Sequence, residues 1–158
     1  MPDPILTSAR DLLRRNRDDM RTAIEGLPAD ALNWRPAGDD TNSIAVLATH
    51  SLTSTRWWLS VAVDAPLPDR DRPTEFDFTA HDSGELLAFV DGLFEECLSL
   101  SDSSRTVDWS ALRSQGDPDT DIHLFAAWAL LHALEHLREH VGQISLTRQL
   151  WEAQSPAP

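Results

Sequence analysis

AAWALLHALEHLREHVGQISL, residues 126–146, is the stretch that decides the fold of this chain. Its apolar residues Ala126, Ala129, Leu130, Ala133, Leu137, Val141 and Ile144 recur at three- and four-residue intervals, the period of one helix face. Glu135, Arg138 and Glu139 fall on the other side and mark it as solvated. The predicted helix opens near Thr120 or Asp121 and runs to about Trp151, with a frayed tail from Gln154 to Pro158. A single apolar stripe of this length needs other helices to cover it.

Three further segments upstream carry the same period. One opens at Asn42–Ser43, good N-cap residues, and runs to about Val63. Another begins near Asp82, with Glu85 three residues on as in a capping box, and reaches about Leu100. The first runs from about Leu6 to Leu27 and stops at Gly26–Leu27–Pro28. Between them, ADALNWRPAGDD (residues 29–40) is a short turn or helical piece, and Pro66, Pro68 and Pro73 make a loop. A polar linker with Gly116 and Pro118 spans Ser101 to Asp121, with a short ordered piece at Val107 to Leu112 around Trp109. Four amphipathic helices in 158 residues predict an all-α four-helix bundle. It forms a single domain, residues 1–158, with long connections between helices two and three and between three and four.

The net charge of −13 argues against nucleic acid as a partner, since phosphate binding needs a basic patch. It equally disfavours an anionic membrane surface. All 13 basic residues are arginine, and the chain has no tyrosine. The single cysteine, Cys97, lies in an apolar helical stretch, LFEECLSL, and is expected to be a core thiol. One cysteine makes no internal disulfide and fits a reducing compartment. The N-terminal residues lack the apolar core of a signal peptide, and no window approaches 18 apolar residues. The expected location is the cytoplasm.

His132, His136 and His140 follow one another at four-residue spacing. At about 1.5 Å rise per residue, neighbours are about 6 Å apart on one face, which suits two imidazoles on one ion. His132 and His140 are about 12 Å apart along the axis, too far to share an ion. On a helical wheel His140 falls inside the apolar arc and His136 at its edge, while His132 lies about 130° from the arc's centre, near Glu139. The inward pair is therefore His136 and His140, with Gln143 placed to contact a bound ligand. The helix ending at Val63 supplies His50, in the middle of an apolar arc formed by Val46, Leu47, Trp57, Trp58 and Val61. A lone core histidine is usually just hydrogen-bonded, because an unpartnered buried polar group is costly. Three on inward faces make a stronger pattern. His81 and His123, in a loop and at a helix start, are less promising.

Taken together, NWRP (Asn33 to Pro36), NSIAVLATH ending in His50, and HALEHLREHVGQ (His132 to Gln143) resemble the DinB-like superfamily. The resemblance covers nearly the whole chain in the same order. It implies a four-helix bundle with a divalent metal held by His50, His136 and His140. His132 has no ligand counterpart. It also implies a homodimer, and related branches are enzymes that use low-molecular-weight thiols. Three neutral imidazoles would leave an ion with net positive charge and open positions, able to lower the pKa of a bound thiol or water. The expectation is a metal-dependent enzyme of thiol S-transferase or hydrolase type, acting on a small-molecule thiol or electrophile. Zn or Ni fit first, and Fe or Mn next. Gln143 and Trp57 are the expected substrate contacts. The alternative is a non-catalytic metal-binding or stress-response dimer.

Overall fold

Helix α1 (Pro4–Ile24) begins at Asp3, whose carboxylate accepts the amides of Ile5 and Leu6. Pro4 stands in the first turn, where a missing N–H costs nothing. Gly26, at φ 75°, turns the chain out of it. The computed structural model describes residues 1–115 and 122–154. Helix α2 (Ala29–Asn33) and a 3-10 turn at Gly38–Asp40 occupy the short segment that follows. Helix α3 (Ile44–Val63) opens where expected, with the Ser43 hydroxyl accepting the Val46 amide. It closes on Asp64 in the left-handed region, φ 59°.

The proline-rich segment after α3 is not wholly loop. It contains a short helix, α4 (Arg72–Phe76), with Pro73 in the first turn, a position that tolerates proline. Helix α5 (Ser83–Leu100) starts at Asp82, which accepts the Glu85 amide at 2.8 Å, while the Glu85 carboxylate reaches back to the His81 amide. Strands β1 (Leu112–Ser114) and β2 (His123–Phe125) pair antiparallel with Leu112 opposite Phe125.

Helix α6 (Ala126–Gln154) follows directly. The expected start near Thr120 or Asp121, the linker's Gly116 and Pro118, and the tail beyond Gln154 lie outside the described residues. His123 is an exposed strand residue rather than a helix opener. The ordered piece around Trp109 has a use that local pattern could not show. The Trp109 and Ala111 carbonyls accept the first amides of α6, and the Trp109 indole N–H donates to Asp3.

Helix α1 packs against α5 and α6, and α3 packs against the same two. The core between them holds Leu6, Leu13 and Met20 of α1, Leu52 and Leu59 of α3, Phe94 and Cys97 of α5, and Leu137 and Ile144 of α6, all fully buried. Each large apolar side chain of that set stabilises the fold by roughly 1.5–3 kcal/mol. Among the described residues, the contact between α3 and α6 is the broadest. It sets facing residues of the two helices against each other. No helix among the described residues is long and apolar enough to cross a membrane.

Candidate metal centre

The seam between α3 and α6 carries the three inward histidines. His50, from the buried middle of α3, is 7% exposed. His136 and His140, one turn apart on α6, are half-buried. Ring centroids stand 5.2 Å apart for His50–His136, 5.3 Å for His50–His140 and 4.4 Å for His136–His140. One nitrogen from each ring lies within 4.8 Å of the other two. The His136 and His140 Nε2 atoms are 3.2 Å apart.

Two of the rings are oriented from behind. His50 Nδ1 lies 2.8 Å from Glu75 Oε2, and Arg70 donates to both oxygens of Glu75, at 2.7 and 3.0 Å. His140 Nδ1 lies 2.7 Å from Gln143 Oε1. These bonds occupy each Nδ1 and leave each Nε2 facing the cluster. His136 is different, because its Nδ1 is buried with no hydrogen-bond partner. Such an orphan costs about 1–3 kcal/mol.

The electrostatics favour the neutral form at His50 and His136. Burial lowers the His50 pKa, although Glu75 pulls the other way. Burial, then the neighbouring His140 and His50 rings, push His136 down to about 4. Burial works to raise the Glu75 carboxyl, but the hydrogen bonds from Arg70 and then His50 outweigh it and hold the group ionised, below its usual range. Neutral imidazoles are the form that ligates a metal.

The residues fit a divalent ion. Two nitrogens each about 2.0–2.1 Å from one ion stand roughly 3.3 Å apart at a tetrahedral angle, close to the 3.2 Å between His136 and His140. Three protein nitrogens leave coordination positions open.

The other candidates are distributed as follows. Gln143 joins the cluster's outer side through His140. It also lines a cleft of about 330 Å³ together with Asp40, Asn42, Leu47, Leu146 and Leu150. Trp57 packs half-buried against the core, and it is Trp58 rather than Trp57 whose ring meets a histidine. That histidine is His132, which the wheel places toward the wet side. It is instead half-buried, stacked on Trp128 with centroids 4.8 Å apart and edge-on to Trp58 at 4.9 Å. Trp128 precedes it by one helical turn and covers the side the wheel leaves open. His81 and His123 are exposed and outside the cluster.

Glu75 and Arg70 escape a reading by spacing. They lie in a proline-rich stretch without periodicity, and the only local signal is a carboxylate and a guanidinium five residues apart. Their location also explains NWRP. The Asn33 carboxamide pairs with both backbone groups of Ala80, at 2.8 and 2.9 Å, and Arg35 donates to the Phe76 carbonyl at 3.1 Å. The motif thus ties the α3–α5 connection down over His50.

The family model of the DinB superfamily matches residues 12–144. The chain belongs to the DinB superfamily. Nothing among the curated proteins matches the sequence. Among solved structures, the "conserved protein of locus from Enterococcus faecalis" matches at a TM-score of 0.69 and 16% identity, over 91% of this chain and 95% of that one. At that identity the likeness speaks to the fold alone. The DinB match runs from α1 into α6 as far as Ile144, so it includes His50, His136, His140 and Gln143.

Proposed function

We propose that this DinB superfamily member is a metal-dependent enzyme of low-molecular-weight thiol S-transferase or hydrolase type, its divalent ion held by His50, His136 and His140 within a four-helix bundle. The observation that carries the reading is the convergence of three imidazole nitrogens within 4.8 Å from two helices remote in sequence. When bound, such an ion supplies Lewis acidity that turns a thiol or water into a nucleophile near neutral pH. The protein's own part is threefold. Burial keeps the His50 and His136 imidazoles unprotonated. Glu75 and Gln143 turn His50 and His140 to face one point. Gln143, shared between His140 and the cleft, orients what the cleft holds. There Leu47, Leu146 and Leu150 would take an apolar portion of the substrate, and Asp40 and Asn42 its polar groups. Trp57, two turns beyond His50 on α3, is the second substrate contact of this reading. Zn or Ni suits three imidazoles best, with Fe or Mn next.

Metal analysis of the purified protein tests the centre. About one ion per chain is expected. Less than about 0.2 per chain after adding Zn or Ni overturns it. Screening low-molecular-weight thiols against the cobalt-substituted protein tests the reaction class, because a thiol that binds the ion shifts its visible bands. A second reading, a non-catalytic metal-binding or stress-response dimer, is favoured by the near-complete burial of His50 beneath Phe76, whose ring centroid lies 4.8 Å away. A cobalt spectrum indifferent to every thiol and electrophile decides for it.

The homodimer is part of the proposal. Its support is an exposed apolar groove between α1 and α6, edged by Ile5, Leu12 and Leu131. A buried, unpaired Cys97 supports a reducing compartment such as the cytoplasm.

A further inference from the structure

The connection between α3 and α5 contributes no member of the histidine cluster, yet it carries the most buried charge in the region. Glu75 is 5% exposed, and the Arg70 side chain is 15% exposed. A buried carboxylate persists only where partners replace its water. Glu75 has three such bonds, two from Arg70 and one with His50 Nδ1.

We infer that this connection is a working part of the metal centre: Glu75, locked by Arg70, is a positioning residue that fixes His50 with Nδ1 protonated and Nε2 turned to the cluster, and Asn33 and Arg35 hold it there. The inference rests on the metal reading above. The direction of the hydrogen bond follows from the partners. Arg70 only donates, so both oxygens of Glu75 accept, and His50 Nδ1 must supply the proton. A neutral ring with that proton has one lone pair left, on Nε2. Phe76, the next residue of α4, packs on the same ring at 4.8 Å and opposes its rotation. The remaining freedom, a swing of the whole connection, is removed at two anchors. Asn33 pairs with both backbone groups of Ala80, and Arg35 holds the carbonyl of Phe76. NWRP therefore acts on the cluster from a distance, through Glu75.

The test has a metal-free and a metal-loaded arm. In the metal-free protein, long-range ¹H–¹⁵N correlation of the histidine rings reads the tautomers. His50 is expected with its proton on Nδ1, and a proton on Nε2 overturns the inference. This arm stands even if the wild type binds no ion, so its failure is distinct from failure of the metal reading. In the loaded arm, affinity for Zn and Co is measured by chelator competition on wild type, Glu75→Gln and Asn33→Ala, with folding checked by circular dichroism. An amide cannot replace a carboxylate that accepts three donors, so Glu75→Gln should weaken binding about 10–100-fold. Stoichiometry and cobalt band positions should stay unchanged, because the ligand set is unchanged. Asn33→Ala should weaken it in the same direction by a smaller factor. Affinity of Glu75→Gln within about threefold of wild type overturns the inference, as does a changed cobalt spectrum, which would make Glu75 itself a ligand. Wild-type affinity in Asn33→Ala overturns the role given to NWRP.

Discussion

Cys97 offers an unusually isolated measurement. The thiol is fully buried on α5, and burial pushes its pKa up to about 12, Arg56 opposing and Glu96 adding to the rise. In the unfolded chain it titrates at about 8.5. The native state therefore holds this proton more tightly. The stabilisation is complete below about pH 8.5 and is lost as pH rises toward about 12, at about 1.36 kcal/mol per unit. At about pH 11 the loss is about 3 kcal/mol, a large share of the roughly 5–15 kcal/mol that holds a domain together. Nothing else obscures the effect. The chain has no lysine and no tyrosine, the other side chains that ordinarily titrate in this alkaline range. Urea unfolding followed by tryptophan fluorescence, across about pH 8 to 11, should show the wild-type midpoint falling. Cys97→Ala should start about 1 kcal/mol lower because of its small cavity, and then stay flat, so that the two curves cross. Parallel curves would refute the reasoning and place the thiol in contact with water.

Three further outcomes are expected. His136→Ala should leave less than about 0.2 ion per chain and abolish any rise in Tm on adding metal, read by elemental analysis and calorimetry. A stoichiometric ion in that variant would remove His136 from the ligand set. Asn33→Ala strands both backbone groups of the buried Ala80, and should cost about 2 kcal/mol, or roughly 4–8 °C in Tm. An unchanged melting curve argues against the pairing. Leu131 is 65% exposed on the α1–α6 groove, so Leu131→Glu should leave monomer stability within about 0.5 kcal/mol while sedimentation shifts from dimer to monomer. A wild type that sediments as a monomer sinks the dimer.

The long elements were legible because helical periodicity is local. Ser43 and Asp82 mark two starts correctly, and the arc from Ala129 to Ile144 chooses His136 and His140 over His132. His50 follows from its neighbours by the same logic. What escaped the pattern depends on contacts between segments. Glu75 touches His50 across 25 residues of sequence, in a stretch where prolines hide a five-residue helix. The wheel treats α6 as if alone, so it leaves His132 in water, whereas Trp58 from α3 and Trp128 enclose it. The strands are three residues each and pair across the segment that the sequence reads as linker. Runs that short carry no alternation to detect.

The seam between α3 and α6 also bears on how the molecule comes apart. His50 and His136 are 86 positions apart in the chain, counted from their numbers. Any ion gripping both would close a loop of that length, as a disulfide does. In the chain-entropy view a crosslink of that span removes roughly 4–5 kcal/mol of freedom from the unfolded ensemble. Unlike a disulfide, it could be undone by a chelator. The α3–α6 contact would then behave as a reversible clasp, with the lifetime of the native state set by the supply of metal around it.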